Sequence, residues 1–173
     1  MGRQSTQQHF IAERSRTLAV VYLTRREDLI VTEETAKVGV DLWVTLKREG
    51  QEGHRKFGVD VRGGWAAVTP GRANQALQPS LQQVLRYRPF PFPVVLFYFT
   101  MEDTQSWYTW VAEPVVLPGG SFEILQHGEA ACRPLDTEAI DEIVAAVDRW
   151  YDAFFARAIR ETSATMRNGS TVR

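Results

Sequence analysis

Two stretches decide the fold: Gly39-Val40-Asp41-Leu42-Trp43-Val44-Thr45-Leu46, and then Phe57-Gly58-Val59-Asp60-Val61-Arg62-Gly63-Gly64. In the first, Val40, Leu42, Val44 and Leu46 alternate with Asp41, Trp43 and Thr45. In the second, Phe57, Val59 and Val61 alternate with Lys56, Gly58, Asp60 and Arg62. An apolar period of two is the mark of a strand with one face turned to a core. The polar, glycine-bearing residues 48–55 between them read as a hairpin loop. The same period puts Asp60 and Arg62 on one face, opposite the apolar set, and Gly63-Gly64 ends the strand.

Working outward, Phe10, Ile11, Leu18, Val21 and Tyr22 recur at helical spacing, which predicts an amphipathic helix over about 5–24. Leu29 to Thr32 is short and β-branched, a first strand. Residues 71–87 carry loose helical spacing interrupted by Pro79, so one helix is expected to start near Ser80. Pro89, Pro91 and Pro93 lead into Val94–Thr100, an apolar run that reads as a strand buried on both faces. Strands are also expected over Gln105–Val111 and, at an edge, Phe122–Leu125. A helix over about 137–160 takes Asp136 or Thr137 as its N-cap. Its buried stripe is Ile140, Ile143, Val144, Val147, Tyr151 and Phe154. This order predicts an α/β (α+β) fold with a central mixed β-sheet flanked by helices. Residues 1–162 would form the single domain and 163–173 a flexible C-terminal tail.

With 173 residues the chain is the size of one domain, and its 24% charged residues suit a water-facing surface. A net charge of −1 argues against binding nucleic acid through bulk charge alone. One cysteine, Cys132, excludes an intrachain disulfide and a multi-cysteine zinc site. No signal-peptide core and no long apolar run are visible, so the expectation is a cytoplasmic protein with no membrane contact.

The chemistry-bearing cluster is one acid at the start of a strand, a hairpin, then acid-x-base on the next strand. Phosphodiester hydrolysis needs a cation that binds the scissile phosphate and lowers the pKa of an attacking water. Mg²⁺ takes oxygen ligands and keeps several waters, so two carboxylates suffice. Asp41 and Asp60 are therefore the expected ligands for Mg²⁺ (or Mn²⁺), with Arg62 beside them to neutralise charge on phosphate. Read without function, Asp60 and Arg62 are an ion pair on a solvated face.

Gly39-Val40-Asp41-Leu42-Trp43-Val44 and Phe57-Gly58-Val59-Asp60-Val61-Arg62-Gly63 together resemble the glycine-apolar-Asp strand and the acid/Gln-x-Lys strand of PD-(D/E)XK nucleases. Within that superfamily the chain is similar, over about residues 8–115, to the domain-of-unknown-function family 4365 of prokaryotes. The later Pro93-Val94-Val95-Leu96-Phe97-Tyr98 and Trp107-Tyr108-Thr109-Trp110 match that family's downstream strands. The resemblance implies a restriction-endonuclease-like core and a first-helix glutamate, here Glu13, that assists the metal or the water. It also implies a nucleic-acid substrate, DNA foremost, in a defence or mobile-element setting. One position departs: the motif lysine is Arg62. Arginine is a permanently charged fork, good at holding phosphate and poor at carrying a proton. The alternative is therefore a catalytically degenerate subunit that serves as a binding or assembly partner.

Further expectations concern single residues. Trp43 either stacks on a base or packs beneath a helix. Trp107, Tyr108 and Trp110 cover the sheet, and aromatics left exposed there, together with a small nuclease-like fold standing alone, are the grounds for a homodimer. A separate partner protein would supply targeting. Arg14, Arg16, Arg25, Arg26, Arg55, Arg72, Arg86 and Arg88 are candidates for a phosphate-binding rim. His9, His54 and His127 share no ligand spacing, and Cys132 has no partner base in view.

Overall fold

The structure is a computed structural model that describes residues 2–36, 39–48, 51–87 and 89–169. Helix α1 (Gly2–Thr24) leads to β1 (Leu29–Glu33), β2 (Leu42–Arg48) and the long β3 (Gln51–Gly64). Helix α2 (Ala73–Val84) then crosses to β4 (Val94–Thr100), followed by β5 (Ser106–Val116), β6 (Phe122–Gln126), the two-residue β7 (Arg133–Pro134) and α3 (Thr137–Gly169). The strands form one seven-stranded sheet in the order β1-β2-β3-β4-β5-β6, with β7 also on β5. Every pairing is antiparallel except β3 with β4, which α2 joins as a crossover. The fold is thus α+β, with a mixed sheet flanked by three helices, as the sequence predicts.

Each face of the sheet has its own core. On one, α1 and α3 cover Leu42, Val44, Phe57, Val59, Val61, Val95, Phe97 and Tyr108. On the other, α2 lays Ala73, Leu77, Leu81 and Val84 over Val40, Val94, Leu96, Trp107 and Val111. Burial on both faces explains why β4 reads as an unbroken apolar run.

Three boundaries differ from expectation, each for a local reason. Helix α2 begins at Ala73 and carries Pro79 inside it. Its buried residues lie on both sides of Pro79, whereas Pro79 itself faces solvent, where water replaces the lost backbone bond. Strand β3 begins at Gln51, so most of the expected loop is strand; residues 49–50 lie outside the described residues. Arg55 anchors this ribbon by bonding Asp148 and Asp152 of α3. Helix α3 continues to Gly169, past its expected end near 160, and an Arg157–Glu161 pair four residues apart spans that point. Its N-cap is Asp136, whose carboxylate accepts the Ala139 N–H at 2.8 Å.

One ground for a homodimer, exposed aromatics over 107–110, does not survive. Trp107 is 4% and Tyr108 3% exposed, and Trp110 packs against the α1/α3 core. Strand β5 is an interior strand covered on both faces, so its aromatics fill the two cores. Among the described residues no helix is long and apolar enough to cross a membrane.

Candidate functional site

Strand β3 is the spine of the site. Gly58, Asp60 and Arg62 stand opposite Val94, Leu96 and Tyr98 of β4 in register, which places them on the α2 face. Asp60 is only 1% exposed, an unusual place for a carboxylate. Arg62, two residues along, returns its guanidinium to Asp60, with Nη2 3.0 Å from Oδ1.

Asp41 arrives from the other side. Its backbone N–H donates to the Val59 carbonyl just before β2 begins. Its carboxylate Oδ2 accepts the Val61 N–H at 2.7 Å. That amide points towards β2 where the strand has not yet started, so the side chain takes the place of a ladder carbonyl. Because Leu42 pairs with Val59, Asp41 falls opposite Asp60 on the neighbouring strand, close enough for its carboxyl to raise the Asp60 pKa. The predicted pair of aspartates is therefore brought together, with Arg62 on top.

Electrostatically the two acids oppose each other. Burial first, and then the hydrogen bond with Asp41, push the Asp60 carboxyl well above the usual carboxylate range; Arg62 pulls the other way and does not prevail. Asp60 Oδ2 has no hydrogen-bond donor among the described residues, and neither does Arg62 Nε an acceptor. Two touching carboxyl groups need a proton or a cation between them. The donor set fits a divalent cation such as Mg²⁺ or Mn²⁺: hard oxygens from adjacent strands, with one buried oxygen unclaimed. Among the described residues no cluster of three or more metal-ligating side chains forms, so water would complete the shell.

Glu13 is not brought to this pair. Helix α1 covers the opposite face of the sheet, and Ile11 and Ser15 are the residues it presses against Gly63. Glu13 lies between them in sequence and on the far side of the helix, with its carboxylate on Arg16 at 2.8 Å. The arginine rim mostly resolves into internal contacts. Arg26 bonds Asp28 and Asp141, Arg55 bonds α3, and Arg14 and Arg25 lie over the Phe10 and Tyr22 rings. Arg72 and Arg86 are exposed with no ion pair among the described residues, and Arg88 lies outside them. Trp43 packs on Phe92 with ring centroids 4.9 Å apart and donates its indole N–H to Glu34 at 2.7 Å. It is a packing residue on the site face.

His127 bonds Glu113 at 2.7 Å, away from the acid pair, while His9 and His54 are exposed. Burial raises the Cys132 thiol to about 11, which leaves it protonated and unreactive at neutral pH. What the sequence did not disclose is a cavity of about 470 Å³ at the end of β3, between Gly64, Tyr98 and the start of α2. The parallel register of β3 with β4 adds the Tyr98 wall to those that residues 64–76 supply. No protein-family model, no curated protein and no solved structure matches the chain.

Proposed function

We propose that this chain is a nuclease-like domain of the PD-(D/E)XK type that acts on nucleic-acid phosphodiesters with Mg²⁺ or Mn²⁺, in a prokaryotic defence or mobile-element setting. The single observation that carries the reading is the convergence of Asp41, held on the Val61 amide, with the buried Asp60 and its Arg62 partner on neighbouring strands. Mg²⁺ held there would polarise the scissile phosphate and supply an activated water. Asp41 is fixed for that role by the Val61 amide, which leaves its second oxygen free to ligate. Asp60 contributes the unclaimed Oδ2. Arg62 would swing from Asp60 to phosphate, exchanging one charge-assisted contact for another.

A second reading has its own observation. Arg62 already lies on the buried Asp60, in the position a cation would neutralise. A chain that carries its own counter-charge keeps the fold without the metal and serves as a binding or assembly subunit. One experiment separates the two: cleavage of single- and double-stranded DNA and RNA with Mg²⁺ and Mn²⁺, beside Asp60→Ala and Arg62→Lys. Cleavage abolished by Asp60→Ala supports the first reading. An inert wild type with an active Arg62→Lys identifies a decayed nuclease, and cleavage untouched by Asp60→Ala overturns the site.

A further inference from the structure

We infer that the cavity at the end of β3 is a subsite for one unpaired nucleotide, with its base on Trp65 and its phosphate on Arg72, so that the strand engaged is single-stranded. This rests on the nuclease-like reading of the adjacent acid pair and adds the form of nucleic acid taken. The cavity, about 470 Å³, is the right size for a small ligand or a single nucleotide and not for a duplex.

Its position follows from the strand. Asp60, Arg62 and Gly64 are successive residues on one face of β3, and Gly64 lines the cavity. At about 3.3 Å per residue, Gly64 lies roughly 7 Å beyond Arg62. Tyr98 is the register partner of Arg62 and also a wall of the cavity. A Cβ on residue 64 would meet the Tyr98 hydroxyl at 2.2 Å, so glycine there is what lets the ring lie across the strand end. The cavity thus opens roughly 13 Å along β3 from Asp60, with Arg62 between them on the same face.

Its lining has the chemistry of a nucleotide site. Trp65 is 51% exposed, although nothing in folding requires a tryptophan to face solvent. Exposed aromatic faces stack on any base, a sequence-tolerant contact because every base has a π-face. The Arg72 guanidinium has no ion-pair or hydrogen-bond partner among the described residues, and the lining contains no carboxylate to compete for it. Thr69 and Gln75 add polar groups at the wall. The walls are also held in place. Gly64 and Trp65 carbonyls accept the Met101 and Glu102 amides at 3.0 Å, and the Ala67 amide donates to Glu102 Oε2 at 3.0 Å. A preformed cleft of this kind pays little ordering cost on binding. A duplex has its bases stacked and paired, which leaves no base for Trp65.

The test is binding of a fluorescent short thymidine oligonucleotide, and of the same sequence as a blunt duplex, to the full chain in EDTA at several salt concentrations. Cleavage in Mg²⁺ and Mn²⁺ is measured alongside. The expected result is tighter binding of the single strand, weakened roughly tenfold or more by Trp65→Ala and by Arg72→Ala, and largely kept by Trp65→Phe. Arg72→Ala should also flatten the dependence of log affinity on log salt by about 0.7. Both residues are exposed, so these variants fold. Single-strand binding that neither substitution weakens overturns the subsite and leaves the nuclease-like reading standing. Binding with the expected sensitivities but no cleavage supports the subsite and removes catalysis. A chain that binds neither form overturns the subsite.

Discussion

The Arg62 guanidinium lies on the buried carboxyl of Asp60, Nη2 to Oδ1 at 3.0 Å, and shields it from solvent. The pair is a lock as much as a site: metal or phosphate must displace one partner to reach the other. Arg62→Ala removes the lock and the counter-charge together. It should lower stability by about 1–3 kcal/mol in urea unfolding, because it strips a charged hydrogen bond from a buried group. In the same protein Mg²⁺ should raise the unfolding midpoint more than it does in wild type, as a ligand that binds only the folded state. Equal or smaller stabilisation by Mg²⁺ in the variant would mean the acid pair is no cation site.

The pH dependence of stability follows from Asp60. Burial holds its folded-state pKa well above the ordinary 3.8 of an aspartate, so the folded state holds the proton more tightly than the unfolded chain. That contribution is complete below about 3.8 and is lost as pH rises through the raised folded value. Asp60→Asn cannot lose a proton, and its amide can donate to Asp41. It should therefore be more stable than wild type at neutral pH, with a flatter stability profile above pH 4. Thermal unfolding at a series of pH values reads this directly. A variant less stable than wild type at neutral pH would assign the charged Asp60–Arg62 pair the larger share.

What could be foreseen here was local. Alternation over 40–46 and 56–62 placed Asp60 and Arg62 together because period two needs no knowledge of the rest of the chain. Asp41 could be paired with Asp60 because a hairpin makes the two strands neighbours. Glu13 was misplaced because a helix sequence does not say which face of a sheet it will cover. Pro79 misled for a related reason: its local penalty is real, but Leu77 and Leu81 on either side are fully buried and outweigh it. The Tyr98–Trp65–Arg72 cavity depends on the register of a parallel pair separated by a crossover, which no local pattern carries.

Gly63 is where α1 meets the sheet most closely. A Cβ there would stand 2.1 Å from Ser15 Oγ, 2.9 Å from Ile11 and 3.1 Å from the Phe99 carbonyl. The Ser15 hydroxyl could rotate away, but the carbonyl belongs to the paired strand and cannot. Gly63→Ala should destabilise the fold by about 1–3 kcal/mol, as overpacking does. Adding Ser15→Gly should return part of that loss. A double-mutant cycle with no coupling would place the close approach elsewhere.

Arg55 is a buried cation, only 8% exposed, and its role is structural. Its guanidinium bonds the Asp148 carbonyl and carboxylate, sits 2.6 Å from Asp152 Oδ1 and lies over the Phe155 ring at 5.7 Å. It ties the start of β3 to α3. The hydrogen bond from Arg55 is the main cause that holds the Asp152 carboxyl below its usual range; burial opposes it, and Arg48 adds a smaller pull in the same direction as Arg55. A depressed carboxylate adds stability that is present above about 3.8 and is lost as pH falls through the lower folded value. Both aspartate partners are well exposed, so water re-solvates them once Arg55 is gone and the cost stays at the lower end for charged hydrogen bonds. Arg55→Ala should thus cost about 1–2 kcal/mol at neutral pH and less in acid, and Arg55→Lys should recover only part of it, since a point charge cannot reach both carboxylates at once. Urea unfolding at neutral and acidic pH measures both. A loss of the same size at the two pH values would put the stabilisation in the arginine's packing on Phe155 rather than in its charge.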